Sequence, residues 1–337
     1  MDRQQKKLIL IFFGLILAAL LSPWLRRPMA EGDTSKAAKS RLSVLTGVNY
    51  YVIDSQGRAE LFLATDRLRL DLAKSRWQAA PAKGQIFRVM DDPIQYTAEE
   101  VSFNEEGQIE LRGAAALTTT DASLAAAQIS YDQKKSFVQA MGDVQSWKII
   151  PKTQDRLAMT APVASGDLAQ QDFSYAQGVK GEITFKRTYL APVYFQAREV
   201  QFKRPQMLVQ LQDQVELAHK NVKVTAWQGE IHLANYHEGG AYYTLGHNVH
   251  LVEKEVAEPK RKHRKGLKGL NRQAFAEQLE GWPREGKIIL TGLPKLMQDN
   301  SLIKGRKVTL YQDRELVEVE DATSGLKLNE PEAAPET

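Results

Sequence analysis

The chain has 337 residues, no cysteine, 45 Lys and Arg against 41 Asp and Glu, and 43% hydrophobic residues. Such a composition belongs to a folded chain, and the length allows one large domain or two ordinary ones. The absence of cysteine excludes a disulfide framework, a thiolate zinc site, an iron–sulfur cluster and a cysteine nucleophile.

The net charge of +4 is unevenly spread. Residues 1–41 hold eight cationic and three acidic side chains (+5), and residues 254–272 hold eight against two (+6), leaving −7 for the rest. Phosphate binding needs a cationic face on the folded part, so a nucleic-acid-binding body is disfavoured.

Residues 8–25 form one uncharged apolar run, about 27 Å long as a helix and enough to cross a bilayer. Leu8, Phe12, Phe13, Leu17, Leu21 and Trp24 are its expected membrane-facing residues. Arg3, Lys6 and Lys7 precede it, and Arg26 and Arg27 follow at interfacial depth. A cleavable signal peptide would share these features, but the run exceeds a usual apolar core and Ser22-Pro23-Trp24-Leu25 supplies no small-x-small site. Positive charge on both flanks leaves the orientation open from these residues alone. Residues 28–41 read as a short tether.

Beyond the tether the period becomes two. Residues 48–53, 61–72, 101–103, 109–111, 183–185, 222–226, 231–234 and 308–310 alternate apolar with polar, the pattern of half-buried strands. Gly57, Gly107, Gly239 and Gly240 mark turns between them. Only residues 272–279 admit a brief helical reading, so the body is expected to be mainly β. Internal phrasing recurs: Ile109-Glu110-Leu111-Arg112-Gly113, Phe137-Val138-Gln139-Ala140-Met141-Gly142-Asp143-Val144, Leu211-Gln212-Asp213-Gln214-Val215, Leu245-Gly246-His247-Asn248-Val249 and Ile288-Ile289-Leu290-Thr291-Gly292. Each unit reads as strand, turn, strand, then a Gly-x-Val corner leading into the next. A unit of about 30 residues of paired strands builds a stacked β body; ordinary meander redundancy is the alternative.

These residues carry a resemblance. Residues 42–150, with Gly47-Val48, the turn at 54–57, the strand Ala98-Glu99-Glu100-Val101-Ser102-Phe103 and the unit from Leu111 to Asp132, resemble LptC of the lipopolysaccharide-export proteins. Later units, above all Ile288-Ile289-Leu290-Thr291-Gly292-Leu293-Pro294 and Ile303-Lys304-Gly305-Arg306-Lys307-Val308, resemble LptA and the organic-solvent-tolerance repeat. The resemblance implies an open, twisted β-jellyroll, one long or two stacked, anchored in the inner membrane by a single span with its bulk in the periplasm. It implies residues 1–27 as cytoplasmic start and anchor, 42–165 as an LptC-like part, 166–328 as an LptA-like part and 329–337 as a disordered tail. The implied function is to accept lipopolysaccharide from an inner-membrane ABC transporter and pass it along an apolar groove toward an LptA-like bridge or outer-membrane translocon. The chain departs from LptC-like proteins in continuing for about as long again, which leaves open whether a separate LptA is needed.

For that groove the alternating residues Val101, Phe103, Ile109, Leu111, Ile129, Tyr131, Val200, Phe202, Val209, Leu211, Val222 and Val224 are the candidates; the alternative is that they fill a closed core. The stack should end in strands open to partner pairing, with Leu45, Val48 and Tyr50 at the transporter end and Val308, Leu310 and Val317 at the outward end. Lys260, Arg261, Lys262, Arg264 and Lys265 could contact phosphates, or form a solvated loop. No cofactor or metal is implied. His247 and His250 would face opposite sides of a strand, Asp91-Asp92 reads as a turn, and no phosphate loop or nucleophile elbow occurs. An enzymatic role is thus not expected. Two other readings remain from the sequence: a membrane-anchored β-solenoid that binds or cleaves polysaccharide, and a protein-only envelope scaffold.

Overall fold

The computed structural model describes residues 42–326 apart from 54–55, 72–75, 89–90, 105–106, 188–189, 234–241, 255–271, 299–300 and 313–315. The expected anchor, the tail and the basic candidates at 260–265 lie outside the described residues. Among the described residues, no helix is long and apolar enough to cross a membrane.

The chain from Leu42 onward forms one compact unit built on a single antiparallel sheet. In chain order its strands are β1 (Leu42–Ile53), β2 (Ala59–Asp71), β3 (Arg76–Arg88), β4 (Asp91–Ala98), β5 (Glu100–Asn104), β6 (Gln108–Thr118) and β7 (Ala122–Asp132). Then come β8 (Phe137–Ile149), β9 (Arg156–Asp167), β10 (Asp172–Thr184), β11 (Val193–Lys203), β12 (Leu208–His219), β13 (Val222–His232) and β14 (Tyr242–Glu253). The last are β15 (Arg272–Trp282), β16 (Lys287–Thr291), β17 (Lys295–Gln298), β18 (Ser301–Lys304), β19 (Lys307–Tyr311), β20 (Leu316–Glu320) and β21 (Thr323–Leu326).

The long strands from β6 to β15 bend sharply at mid-length. In β6 the bend falls at Gly113-Ala114, in β8 at Gly142-Asp143, in β10 at Gln177-Gly178, in β12 at Asp213-Gln214 and in β14 at His247-Asn248, each a pair of residues with positive φ. Gly142, at φ 80°, meets no steric penalty there, and Asp and Asn tolerate the same region through their short polar side chains. The bend keeps the inward register: Ala140 and Val144, Leu211 and Val215, Leu245 and Val249 flank it and are all buried. Neighbouring strands take the same corner with a three-residue step, as from Ala161 to Ala164 and Ala197 to Val200. Each long strand therefore contributes one half to each of two layers, whose apolar faces pack on each other.

In the first layer, pairing runs β1–β2–β3–β5–β6, continues strand by strand to β15, and ends β16–β19–β20. In the second it passes from β3 to β4 to β6, runs on to β15, and ends β17–β18–β21. Close approach between strands is met with glycine. A Cβ on Gly181 would strike the Phe195 ring, and one on Gly281 the Tyr243 ring; each aromatic is the glycine's directly paired cross-strand neighbour.

Several expectations need correction. Residues 272–279 lie in strand β15, not a helix, because Ala274, Ala276 and Leu279 follow the inward register of a bent strand. Asp91-Asp92 opens β4 instead of forming a turn. The stretch 98–103 is not one strand but is broken at Glu99, where the corner separates β4 from β5. The Gly-x-Val phrase lies in the middle of strands, so it folds one strand over both layers and does not join two. Val308 and Leu310 do not form an edge: β19 is hydrogen-bonded to β16 on one side and β20 on the other, and both residues are buried. The outward edges are β20, which carries the half-buried Val317, and β21. The expected division at 165/166 falls inside β9, which pairs with β8 and β10 on both sides of that point.

Candidate functional site

The inward register holds apolar side chains along most of the stack, but polar groups take it over near the ends of certain strands. In β8 the inward series runs Val144, Ser146, Lys148, and continues to Ile150 beyond the strand end; in β11 it ends in Phe202 and then Arg204. Here the two layers part and leave a cavity of about 600 Å³. Its floor is Ile94, Leu117, Leu124, Leu157 and Met159 from the second layer, with Phe173, Tyr175 and Phe202 from the first. Its mouth is the turns flanking these strands, with Asp92, Asp121, Gln171 and Arg204 on the rim. An apolar floor under a polar mouth is the usual composition of a small-molecule site, and the volume lies in the range of such sites.

The mouth is ordered by local hydrogen bonds. In the turn between β6 and β7, the Thr119 hydroxyl donates to Asp121 at 3.0 Å and accepts from the Ala122 amide at 3.1 Å. Next to it the Thr120 hydroxyl donates to Asp92 at 3.2 Å. Among the described residues of the mouth and floor, two links cross from layer to layer. The Ser146 and Tyr175 hydroxyls hydrogen-bond at 2.9 Å, and the Lys148 ammonium donates to Asp121 at 3.1 Å and across the mouth to Gln171 at 3.0 Å. Only 13% of the Lys148 side chain is exposed. Burial alone would raise the Asp121 carboxyl, but the Lys148 hydrogen bond and charge and the Thr119 hydroxyl outweigh it and hold it below the usual carboxylate range. Burial pushes the Tyr175 phenol up to about 12, against a small opposing effect from Ser146.

Paired charges stand beside the cavity and farther along the same margin. Arg272 meets Glu253 at 3.5 Å with both side chains almost fully buried, and the Asn221 amide donates to Glu253 at 3.3 Å. Arg284, from the turn between β15 and β16, reaches the buried Asp155 at 3.9 Å, and Asp155 also accepts from the Lys186 amide at 2.9 Å.

All twelve groove candidates are buried in the interior between the layers. Of them only Phe202 borders the cavity; Val101, Phe103, Ile109, Leu111, Ile129, Tyr131, Val200, Val209, Leu211, Val222 and Val224 pack elsewhere in the apolar interior. The cavity residues Ser146, Lys148, Tyr175 and Arg204 escaped the sequence reading, although a lysine in the inward register between Val144 and Ile150 was a usable signal. At the N-terminal edge, Leu45 is exposed while Val48 and Tyr50 are half-buried, and among the described residues β1 pairs with β2 alone. His247 sits exposed at the corner of β14, and His250 stacks on Phe275 with ring centroids 4.5 Å apart. Among the described residues, no group of three or more His, Asp or Glu side chains is placed to hold a metal.

No protein-family model matches the chain, and no curated protein matches it. Among the solved structures that match is LptH from Pseudomonas aeruginosa, described as the LptA-homologous periplasmic component of the lipopolysaccharide transport device. It is 15% identical, with 43% of this chain and 92% of that chain covered, at a TM-score of 0.33. At that level the likeness carries no weight for function.

Proposed function

We propose that the protein carries lipopolysaccharide, or a lipid of the same amphipathic kind, through the space between its two layers. The carrying observation is the 600 Å³ cavity, where an apolar floor lies open beneath a polar mouth. Acyl chains would be held there by buried area, at about 0.8 kcal/mol per methylene, with no fixed hydrogen-bond pattern to restrain sliding. On this reading residues 8–25 tether the body to the inner membrane, and an LptC-like beginning continues into an LptA-like extension within one stack.

The stack ends support head-to-tail assembly with partners. Strand β1 contains no charged residue and exposes Leu42, Val44, Leu45, Tyr51 and Ile53, the type of edge that adds a strand from another protein. A photo-crosslinker at Phe202 in cells tests the cargo, with Phe103 as the control because it packs against Trp77 away from the cavity. Adducts carrying lipopolysaccharide at 202 and not at 103 are expected; protein adducts alone at 202 overturn the reading.

A further inference from the structure

A cavity between two layers can be filled along the stack or from the side. On its side this one is bridged from layer to layer, and the bridge is polar. Ser146 and Lys148 stand on one layer; Tyr175 and the turn bearing Gln171 belong to the other. Their hydrogen bonds cross between the layers, Lys148–Gln171 at the mouth and Ser146–Tyr175 on the floor beneath it, and both stand in the path of an acyl chain entering between the layers there. Such links contribute modestly when made but are costly when left half-made, so they favour two states, latched and open, over a continuum. The ammonium is also the group an incoming anion would seek. Lys148 is held by one carboxylate and one neutral amide oxygen, and a charged ligand oxygen binds an ammonium better than an amide oxygen does. Arg204, on the opposite rim, adds a second cation.

We propose that this mouth is a side port for an acyl chain bearing an anionic headgroup, and that the headgroup unlatches it by taking Lys148 from Gln171. The port rests on the lipid reading of the cavity but adds a route of entry and a trigger. The differential affinity that moves the latch comes from Lys148, whose partner in the open state is the ligand. The Ser146–Tyr175 bond then breaks as the layers part, and both hydroxyls remain at the edge of the apolar floor where water reaches them.

The full chain lacks cysteine, so spin labels on Thr120→Cys and Gln170→Cys report the span of the mouth without background. The probes are 11-(dansylamino)undecanoic acid, its methyl ester, and inorganic phosphate alone. Expected results are a single short span in the unliganded protein and a longer one with the acid. The ester should bind roughly tenfold more weakly than the acid, the scale of one charge-assisted bond, and phosphate alone should leave the span short. The double variant K148M/Y175F should show the long span without ligand, and K148R, which keeps the charge, should respond as the parent does. Circular dichroism confirms that the variants are folded. A span unmoved by both the acid and the double variant overturns the port. Equal binding of acid and ester removes Lys148 as the trigger, and opening by phosphate alone removes the acyl chain from the ligand. If the acid opens the mouth while residue 202 gives no lipopolysaccharide adduct in cells, the cargo reading falls and the port stands.

Discussion

The margin of the stack near β8 to β11 and the margin near β12 to β15 are built from the same bent strands, yet one holds a cavity, with the Asp155–Arg284 pair beside its lining, and the other the buried Arg272–Glu253 pair. On the first, polar groups bridge open space: Lys148, Gln171, Ser146 and Tyr175 each meet one or two partners over an unfilled apolar floor. On the second, Arg272 and Glu253 are withdrawn from water in a packed surround. A buried pair is weak evidence for stability, because desolvation offsets the attraction, but it is a rigid one, since removing either partner leaves the other buried without its counter-charge. The difference separates a margin able to open from one that stays shut.

The strongest way to break this comparison is Arg272→Ala, which leaves the Glu253 carboxylate buried beside lost contacts. A loss of about 3–5 kcal/mol is expected in urea denaturation. If the loss is small, the C-terminal margin is solvated and the contrast fails. Paired truncations sharpen it further. Leu217→Ala, in the packed interior, should cost toward about 5 kcal/mol, and Leu157→Ala, on the cavity wall, nearer about 2, because a side chain already facing a void has fewer contacts to lose. Gly281→Ala tests the packing from the other direction: the new methyl meets the Tyr243 ring, and overpacking of about 1–3 kcal/mol is expected from the same measurement.

Smaller effects come from titration. Tyr175 has its folded-state value raised above the ordinary tyrosine value, so its contribution is complete below pH 10 and is lost as pH rises toward about 12. Phenolate absorbance should lag until unfolding, and Tyr175→Phe should shrink that lag by one tyrosine, the remainder belonging to the buried Tyr96 and Tyr243, whose values burial also raises. Asp121 runs the opposite way: with its value depressed, its contribution is present above the ordinary carboxylate range and is lost as pH falls below about 3.9. Smallest of all is Glu320→Gln at the outward edge. Its bonds to Arg306 and Lys307 are exposed to solvent, and the denaturation midpoint should not move measurably.

The strands were legible because alternation survives bending: Ile109 and Leu111, Val222 and Val224 all point inward as their period of two requires. The corners were half legible. Their phrase was visible at Gly142-Asp143-Val144, but mid-strand bending has the same local sequence as a turn, and Gln177-Gly178-Val179 passed unnoticed although it makes the same corner. The cavity was not legible as a whole. Its mouth draws on turns near residues 92, 120, 150, 170 and 204, and what brings them together is the offset of one layer over the other, which no local pattern encodes.

Because every long strand runs through both layers, the unit grows only by whole strands. From β1 to β20 the first layer counts seventeen strands among the described residues, which at about 4.8 Å each makes roughly 75 Å measured along the sheet. A hairpin of about 35 residues adds two spacings, close to 10 Å, without disturbing the inward register of its neighbours. Reach is thus a countable property of this chain. Removing β12 and β13 as a pair would bring β11 against β14 with corners still aligned, and would shorten the molecule by a fixed step where a point mutation could only weaken it.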